Sequence, residues 1–522
     1  MSLKEFLHQL QFDPDQVKAK DWEADWEDAP LPYKLYRGLP AFPLCAEVPL
    51  TLAGEREMAQ PQLRELGHFL WYTFGLTRLS QSVYGPDAGA DWGNSLQLCR
   101  RFVPSGGGLY PSELYVYLKL EGLPYGVYHY DAAHHRLILL REGLFDDYLG
   151  QALGNRYELS AAFGVAFVST MFWKNFFKYH LFSYRLQGLD AGLLIGQLLE
   201  TATRFGFEAS VCFQFLDRAV NRLLGVSEHE ESVYAVIPLS NKPEFFHDRQ
   251  GVGVAAAALC EELPALEHKH YTRSRRVLDY SMLLKLNEAS MLNHSDSFQA
   301  IGSDQPEIVH RAACKLPSAD RLSYDLAAAL QARYSPETEF ILRQVSPTML
   351  AALLNEALQS FKYRNDLDGK RADSASRVSL HVSLYGVEGI ANGAYRYESS
   401  EHVLQPLQAG DHRGLLQYAM SLDNVNLHQV PLCFHVAGDL FYHYGQLGYR
   451  GYRIQQMEAG MLVHSLLLAA SASGMGGRPL LGFDAGIIDK LYGLTACGQT
   501  SLIQIPVGYC RSRSRLEGSL AQ

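Results

Sequence analysis

The chain has 522 residues, on the order of two to four domains at ~150 residues each, and a composition of 47% hydrophobic and 20% charged residues that allows a large core. Its net charge of −10 argues against nonspecific nucleic-acid binding, which needs a basic face, and no apolar run reaches the ~18 residues of a membrane span. The eight cysteines are scattered with no Cys-x-x-Cys pair and the amino terminus shows no signal peptide, so a reduced, cytoplasmic protein is expected.

Residues 1–60 mix prolines with a Trp/Asp/Glu-rich patch at 21–27 and read as an amino-terminal arm. A first unit is expected over 61–245. Residues 62–76 carry apolar residues at helical spacing and stop at Gly75, which predicts a helix. Next comes Arg100-Arg101-Phe102-Val103-Pro104-Ser105-Gly106-Gly107-Gly108-Leu109-Tyr110-Pro111, directly before an apolar run at 113–120 that reads as a strand. The glycines bare the backbone, so a flat group can lie against it, and Ser105 with the glycine N–H groups offers donors. When it stands alone, such a segment reads first as a tight turn. Residues 126–131 and 135–140 read as a hairpin, 164–173 as a buried strand, about 187–205 as an apolar helix and 232–239 as a strand. A less patterned connecting segment, 246–320, includes the basic run Arg273-Ser-Arg-Arg276, read as a solvated patch.

Residues 321–522 then repeat the order. Gly126-Val-Tyr-His-Tyr-Asp131 corresponds to Gly393-Ala-Tyr-Arg-Tyr-Glu398 at an offset of 267, and Tyr184–Gly192 to Tyr452–Gly460 at an offset of 268. The strands at 164–173 and 232–239 correspond to 430–439 and 501–508. The period is far too long for a solenoid and predicts tandem copies of one fold, a homodimer with its pseudo-twofold interface built into one chain.

These residues resemble the nitroreductase-like FMN oxidoreductases, and among them the SagB-type azoline dehydrogenases of thiazole/oxazole-modified peptide pathways. The resemblance lies in Arg101-x-x-Pro104-Ser105-x-Gly107-x-Leu109-Tyr110-Pro111, the following Glu113-Leu-Tyr strand, Gly126-x-Tyr-His-Tyr-Asp131, Lys178-Tyr179, Tyr184-Arg185 and a small-residue helix. It covers roughly 60–240 and, more weakly, 320–510. It implies an α+β fold: two tandem units, each a mixed, mainly antiparallel sheet flanked by helices, forming a pseudo-dimer with FMN at the interface.

The resemblance also implies site residues. Arg333 and Ser335, with Arg511 or Arg513, would hold the phosphate, although the family's second basic residue is replaced near Glu337. Arg101, Pro104, Ser105, Gly106 and Gly107 of the first unit and Gly476 and Gly477 of the second would meet the flavin. The counterpart of the glycine-rich shelf, about 371–377, has lost its glycines, so one FMN site per chain is expected. Lys178 and Tyr179 stand where the family has a catalytic Lys-Tyr pair, and one of them, with its pKa lowered by its neighbour, would serve as the base. The second unit has Gln446-Leu447 there, and the family's following Gly-x-Arg is His180-Leu181-Phe182 in this chain.

Arg185 and Arg453 recur in both units, which predicts a structural role, each paired with an acid such as Asp190 or Glu458. His129, His134, His135, His268 and His270 have no suitably spaced third ligand, so no metal is expected. The expected partner is a small-molecule or modified-peptide substrate, with neither nucleic acid nor membrane, and the chain is expected as a monomeric pseudo-dimer or a homodimer. The function so implied is dehydrogenation of azolines to azoles. An NAD(P)H-dependent nitro or quinone reductase and a non-catalytic flavin- or peptide-binding module are the alternatives.

Overall fold

The computed structural model describes residues 1–17, 22–54, 60–83, 95–247, 252–301, 313–368, 376–511 and 516–519. Two sheets dominate. The first runs in the order Ala41–Pro43, Arg136–Glu142, Gly126–Asp131, Ser112–Leu118, Ala162–Met171, Glu231–Ser240, Glu208–Val211 and Arg364–Asn365. Its neighbours are antiparallel except for the last pair, in which a strand of the second unit adds in parallel to the edge of the first. The second sheet runs Cys314–Lys315, Val403–Ala409, Gly393–Glu398, Ser379–Leu384, Leu432–Asp439, Gln499–Gly508 and Gly476–Gly477. A small third sheet pairs Leu516–Ser519, from the end of the chain, with the Arg78–Val83 and Ser95–Arg100 strands of the first unit.

The central strand Ser112–Leu118 is buried on both faces, and its period of two divides the core. Leu114, Val116 and Leu118 pack into the large core shared with the helices, whereas Tyr115 and Tyr117 face a second cluster. The fold is the expected α+β pair of sheets flanked by helices, with the elements of the two units in the same order.

The two long helices, Ser183–Arg204 and Arg450–Ala472, lie side by side between the sheets, and residues related by the offset of 268 face each other along their length. The Tyr184 and Tyr452 rings stack with centroids 5.9 Å apart. A Cβ on Gly188 would lie 2.6 Å from Gln456 Cβ, one on Gly460 3.0 Å from Gly192 Cα, and one on Gly196 2.9 Å from His464 Cβ. These pairs recur every four residues, so one face of each helix meets its own copy and the pseudo-twofold axis runs between them.

Several expectations shift. The strand read at 164–173 ends at Met171, and its last two residues, Phe172 and Trp173, instead open the helix Phe172–Tyr179, which follows without a turn residue between. The long helix begins at Ser183 because a short turn, His180–Phe182, leads into it directly. The arm begins with a helix, Leu3–Phe12, closed by a Ser2/Glu5 capping box. It buries Phe6, Leu7 and Leu10 and reaches the second unit, where Gln11 donates to Thr500 Oγ1 at 3.0 Å and to the Ser501 carbonyl at 2.7 Å.

The expected pairing of Arg185 and Arg453 with Asp190 and Glu458 is not found. Arg185 donates to the carbonyls of Leu10 and Leu502. Arg453 donates to Asp217 at 2.9 Å, as does Arg450 at 2.6 Å. Both remain structural: each ties its helix to a neighbouring element, and burial makes the backbone carbonyl or carboxylate the necessary partner.

Candidate functional site

The shelf is a short turn, Gly106–Gly108, in which Gly107 and Gly108 take positive φ of 67° and 71°. Asp190, about two turns into the first long helix, holds it from below. Ser105 Oγ donates to Asp190 Oδ2 at 2.6 Å and the Gly106 N–H to Oδ1 at 3.1 Å, while Tyr110 N–H donates to Ser105 Oγ at 2.9 Å. Burial pushes the Asp190 carboxyl up to about 6 against these two hydrogen bonds, which favour its charged form. Arg101 is buried beneath the same segment. Its guanidinium donates to the carbonyls of Phe74 and Pro32 and lies over the Phe74 ring.

Lys178 and Tyr179 close the last turn of Phe172–Tyr179 and stand directly against the shelf. A Cβ on Gly107 would lie 2.6 Å from Tyr179 Oη and 3.1 Å from Lys178 Nζ, so only glycine leaves room for the pair. Burial lowers the Lys178 pKa, and the positive charge of Arg478 lowers it further. Tyr179 shifts the other way, up to about 12, through burial first and the nearby Asp190 second. Of the two groups expected to supply a base with a lowered pKa, only the lysine has one.

The second unit reaches this place from the other side. Arg333, which ends the helix Leu326–Ala332, donates from Nε to the Phe102 carbonyl at 2.9 Å, beside the shelf. Gly476 and Gly477 bridge to Gly508 and Val507, and a Cβ on either would strike Cys510 Sγ at 2.8 Å or Leu467 Cδ2 at 2.6 Å. Arg478 follows them. It donates to the Ser335 carbonyl at 3.3 Å and to Glu337 Oε1 at 3.1 Å, so Glu337 at the altered motif position is neutralised within the unit. Its Nε is buried and has no partner among the described residues. Arg511 is exposed, its backbone N–H bound to the Glu339 carbonyl. Arg513 lies outside the described residues.

Among the described residues, the second unit differs at the matching place. Glu458 stands where Asp190 does, but it binds Arg377 at 2.6 Å and accepts from Tyr363 Oη at 2.6 Å. Arg377 also reaches Asp368 at 2.5 Å and Asn365 Oδ1 at 3.2 Å. Glu458, the counterpart of Asp190, is thus paired within a buried ion cluster, whereas Asp190 accepts from Ser105 and Gly106. Residues 371–375 of the expected counterpart lie outside the described residues.

Among the described residues no three histidines, cysteines or acids gather in a way that could hold a metal ion, and no helix is long and apolar enough to cross a membrane. His129 is used in the core, bound to Glu113 at 2.9 Å, with Lys174 paired to the same carboxylate.

The chain belongs to the Nitroreductase family: the family profile matches residues 65–239 and again 330–509. It is thus a tandem member of an oxidoreductase family. The crystal structure of a candidate nitroreductase from Anabaena variabilis has the same fold, covering 98% of this chain and 99% of its own with a TM-score of 0.71 at 20% identity. The trifolitoxin-processing protein TfxB of Rhizobium leguminosarum bv. trifolii is 30% identical over 155 residues, 28% of this chain. That match spans 41% of the relative, less than half of its length.

FMN, which the family implies, fits the residues present. Guanidinium groups from the second unit stand at the edge of the shelf, suited to a phosphate, and the buried Arg478 Nε is a donor without an acceptor among the described residues. Two of the groups that complete this arrangement were not singled out from sequence. Asp190 was read as a partner for Arg185, and Arg478 was visible only as the residue after the second glycine pair.

Proposed function

We propose that the chain is an FMN-dependent oxidoreductase with one cofactor site, which dehydrogenates azoline rings in a peptide to azoles. The observation that carries this reading is the position of Lys178 and Tyr179 against Gly107, at the seam where Arg333 and Arg478 of the second unit approach the first. FMN bound at the seam would supply the two-electron acceptor, with molecular oxygen taking the electrons onward. Arg333 and Ser335 would hold its phosphate, with Arg511 at the exposed edge. Pro104, Ser105, Gly106 and Gly107 would support the ring on one side and Gly476 and Gly477 on the other. Arg101, engaged with backbone carbonyls, would brace the shelf from beneath.

Oxidation of an azoline removes a hydride from one ring carbon and a proton from its neighbour. Lys178, neutral more readily than an ordinary lysine, would take that proton. Tyr179 keeps its own proton at neutral pH and would donate a hydrogen bond to a heteroatom or carbonyl of the substrate. The likeness to a trifolitoxin-processing protein supports a peptide as substrate.

The test is turnover of a synthetic peptide carrying one thiazoline, read as the loss of two hydrogens by mass spectrometry. Lys178→Ala is expected to lower kcat by ~100-fold or more, the usual worth of a positioned base, and Tyr179→Phe by less. Full activity of Lys178→Ala, or reduction of nitroaromatics by NAD(P)H with no action on thiazolines, would overturn this reading.

A further inference from the structure

Lys178 has unusual company. The groups that shift it are burial and the like charge of Arg478, and among the described residues no carboxylate reaches it. What touches it is aromatic: its Nζ lies 5.5 Å from the centre of the Trp26 ring and 5.0 Å from that of Tyr179. Trp26 comes from the amino-terminal arm, in a short turn, Trp26–Asp28, capped by the Asp25 carboxylate. Its ring meets Phe177 edge-on at 5.4 Å and is 38% exposed, so one face looks outward while the other covers the lysine.

The arm is fastened at this point. The Asp28 carboxylate accepts from the backbone N–H groups of Arg275 and Arg276 at 2.7 and 2.9 Å. Ser274 Oγ donates to the Asp28 carbonyl at 2.7 Å and accepts from Trp173 Nε1 at 2.9 Å. Trp173 belongs to the helix that carries Lys178. One chain of hydrogen bonds therefore ties together the arm, the connecting segment and the helix of the candidate base. The basic run 273–276, expected to be a solvated patch, does expose Arg275, but its backbone forms the latch.

We infer that Trp26 is a positioning residue: the latched arm lays its ring over Lys178, holding the amine against the glycine shelf and shielding it from water. The inference rests on the proposal that Lys178 is the base. An aromatic face suits that role better than a carboxylate would. A carboxylate would hold the lysine in its charged form, whereas a ring face attracts the ammonium by only ~1–2 kcal/mol and also packs against the neutral amine.

The experiment uses the full-length protein with its cofactor and measures acylation of Lys178 by acetic anhydride across pH, read by peptide mass spectrometry, together with kcat. A tenfold change corresponds to ~1.4 kcal/mol, within the range of such a contact. The limiting acylation rate should therefore rise ~10-fold in Trp26→Ala and in Asp28→Ala, with a similar fall in kcat, while Trp26→Phe stays near the original protein. Unchanged acylation in Trp26→Ala, or a phenylalanine variant that behaves like the alanine one, would overturn the inference. Asp28→Ala leaves Trp26 intact and keeps the test meaningful if Trp26→Ala folds poorly. If the acylation pattern holds while Lys178→Ala keeps full activity, the ring covers the lysine but the functional reading falls.

Discussion

Adjacent in sequence, Lys178 and Tyr179 are pushed in opposite directions by the same burial, because burial disfavours whichever form carries charge. A lysine acting as base works in its neutral form. The pH profile of kcat/KM should therefore rise with pH and level off below the ordinary lysine range near ~10.4, and Tyr179→Phe should keep that shape. Disappearance of the rising limb in Lys178→Ala, measured over the same pH range, checks the assignment. Asp190 makes a second pH-dependent prediction. Its folded pKa of about 6 lies above the ordinary 3.8, so the folded state prefers the protonated carboxyl. That preference stabilises fully below the ordinary aspartate range and is lost as pH rises through about 6, which leaves a cost of ~3 kcal/mol above it. The Tm of Asp190→Asn relative to the unaltered protein should accordingly increase between pH 4 and pH 8. The shelf was legible in sequence because its residues are consecutive. Asp190 and Arg478 were not, because each acts on partners far away in the chain that only the fold brings near.

At the level of elements, the two long helices meet through glycines that leave no space. A Cβ on Gly192 would sit 2.0 Å from the Met457 carbonyl oxygen, a backbone atom that cannot swing aside. Gly192→Ala should destabilise by ~3 kcal/mol or more, seen in thermal denaturation, whereas Gly414→Ala, with open space around it, should not. The turn into each long helix shows how far the repeat extends. Gly448 has φ 57° and ψ −146°, and its counterpart His180 keeps nearly the same shape at φ 49° and ψ −138°. A histidine pays strain there that a glycine does not, and ring contacts to Phe176 at 4.7 Å and Trp22 at 5.7 Å offset it. The difference between His180 and Gly448 is thus a change of side chain within a turn that both units keep. The tandem order was legible because both copies are present to be compared. The helix Phe172–Tyr179 was not, because it is short and follows the buried strand with no glycine, proline or turn residue between them to mark the change.

Over the whole molecule, the halves are interlocked and unequal. The second unit lends Arg364–Asn365 to one edge of the first sheet and Leu516–Ser519 to its small outer sheet, and the arm of the first reaches the last long strand of the second. Around the axis between them, one side carries a glycine shelf on Asp190 with Lys178 and Tyr179. The other carries the ion cluster of Glu458, Arg377 and Asp368. The loss of glycines at 371–377 hinted at this inequality in sequence, but that Glu458 is held in an Arg–carboxylate cluster could be read only from the packing. A charged cluster so thoroughly paired resists displacement by a ligand, since breaking it would strand a buried charge. The measurement that bears most directly on this account is the amount of FMN released per chain from the purified protein, with the cofactor identified by its spectrum. One FMN per chain is expected; two per chain, or a colourless protein that cannot be loaded with FMN, would contradict the single-site reading.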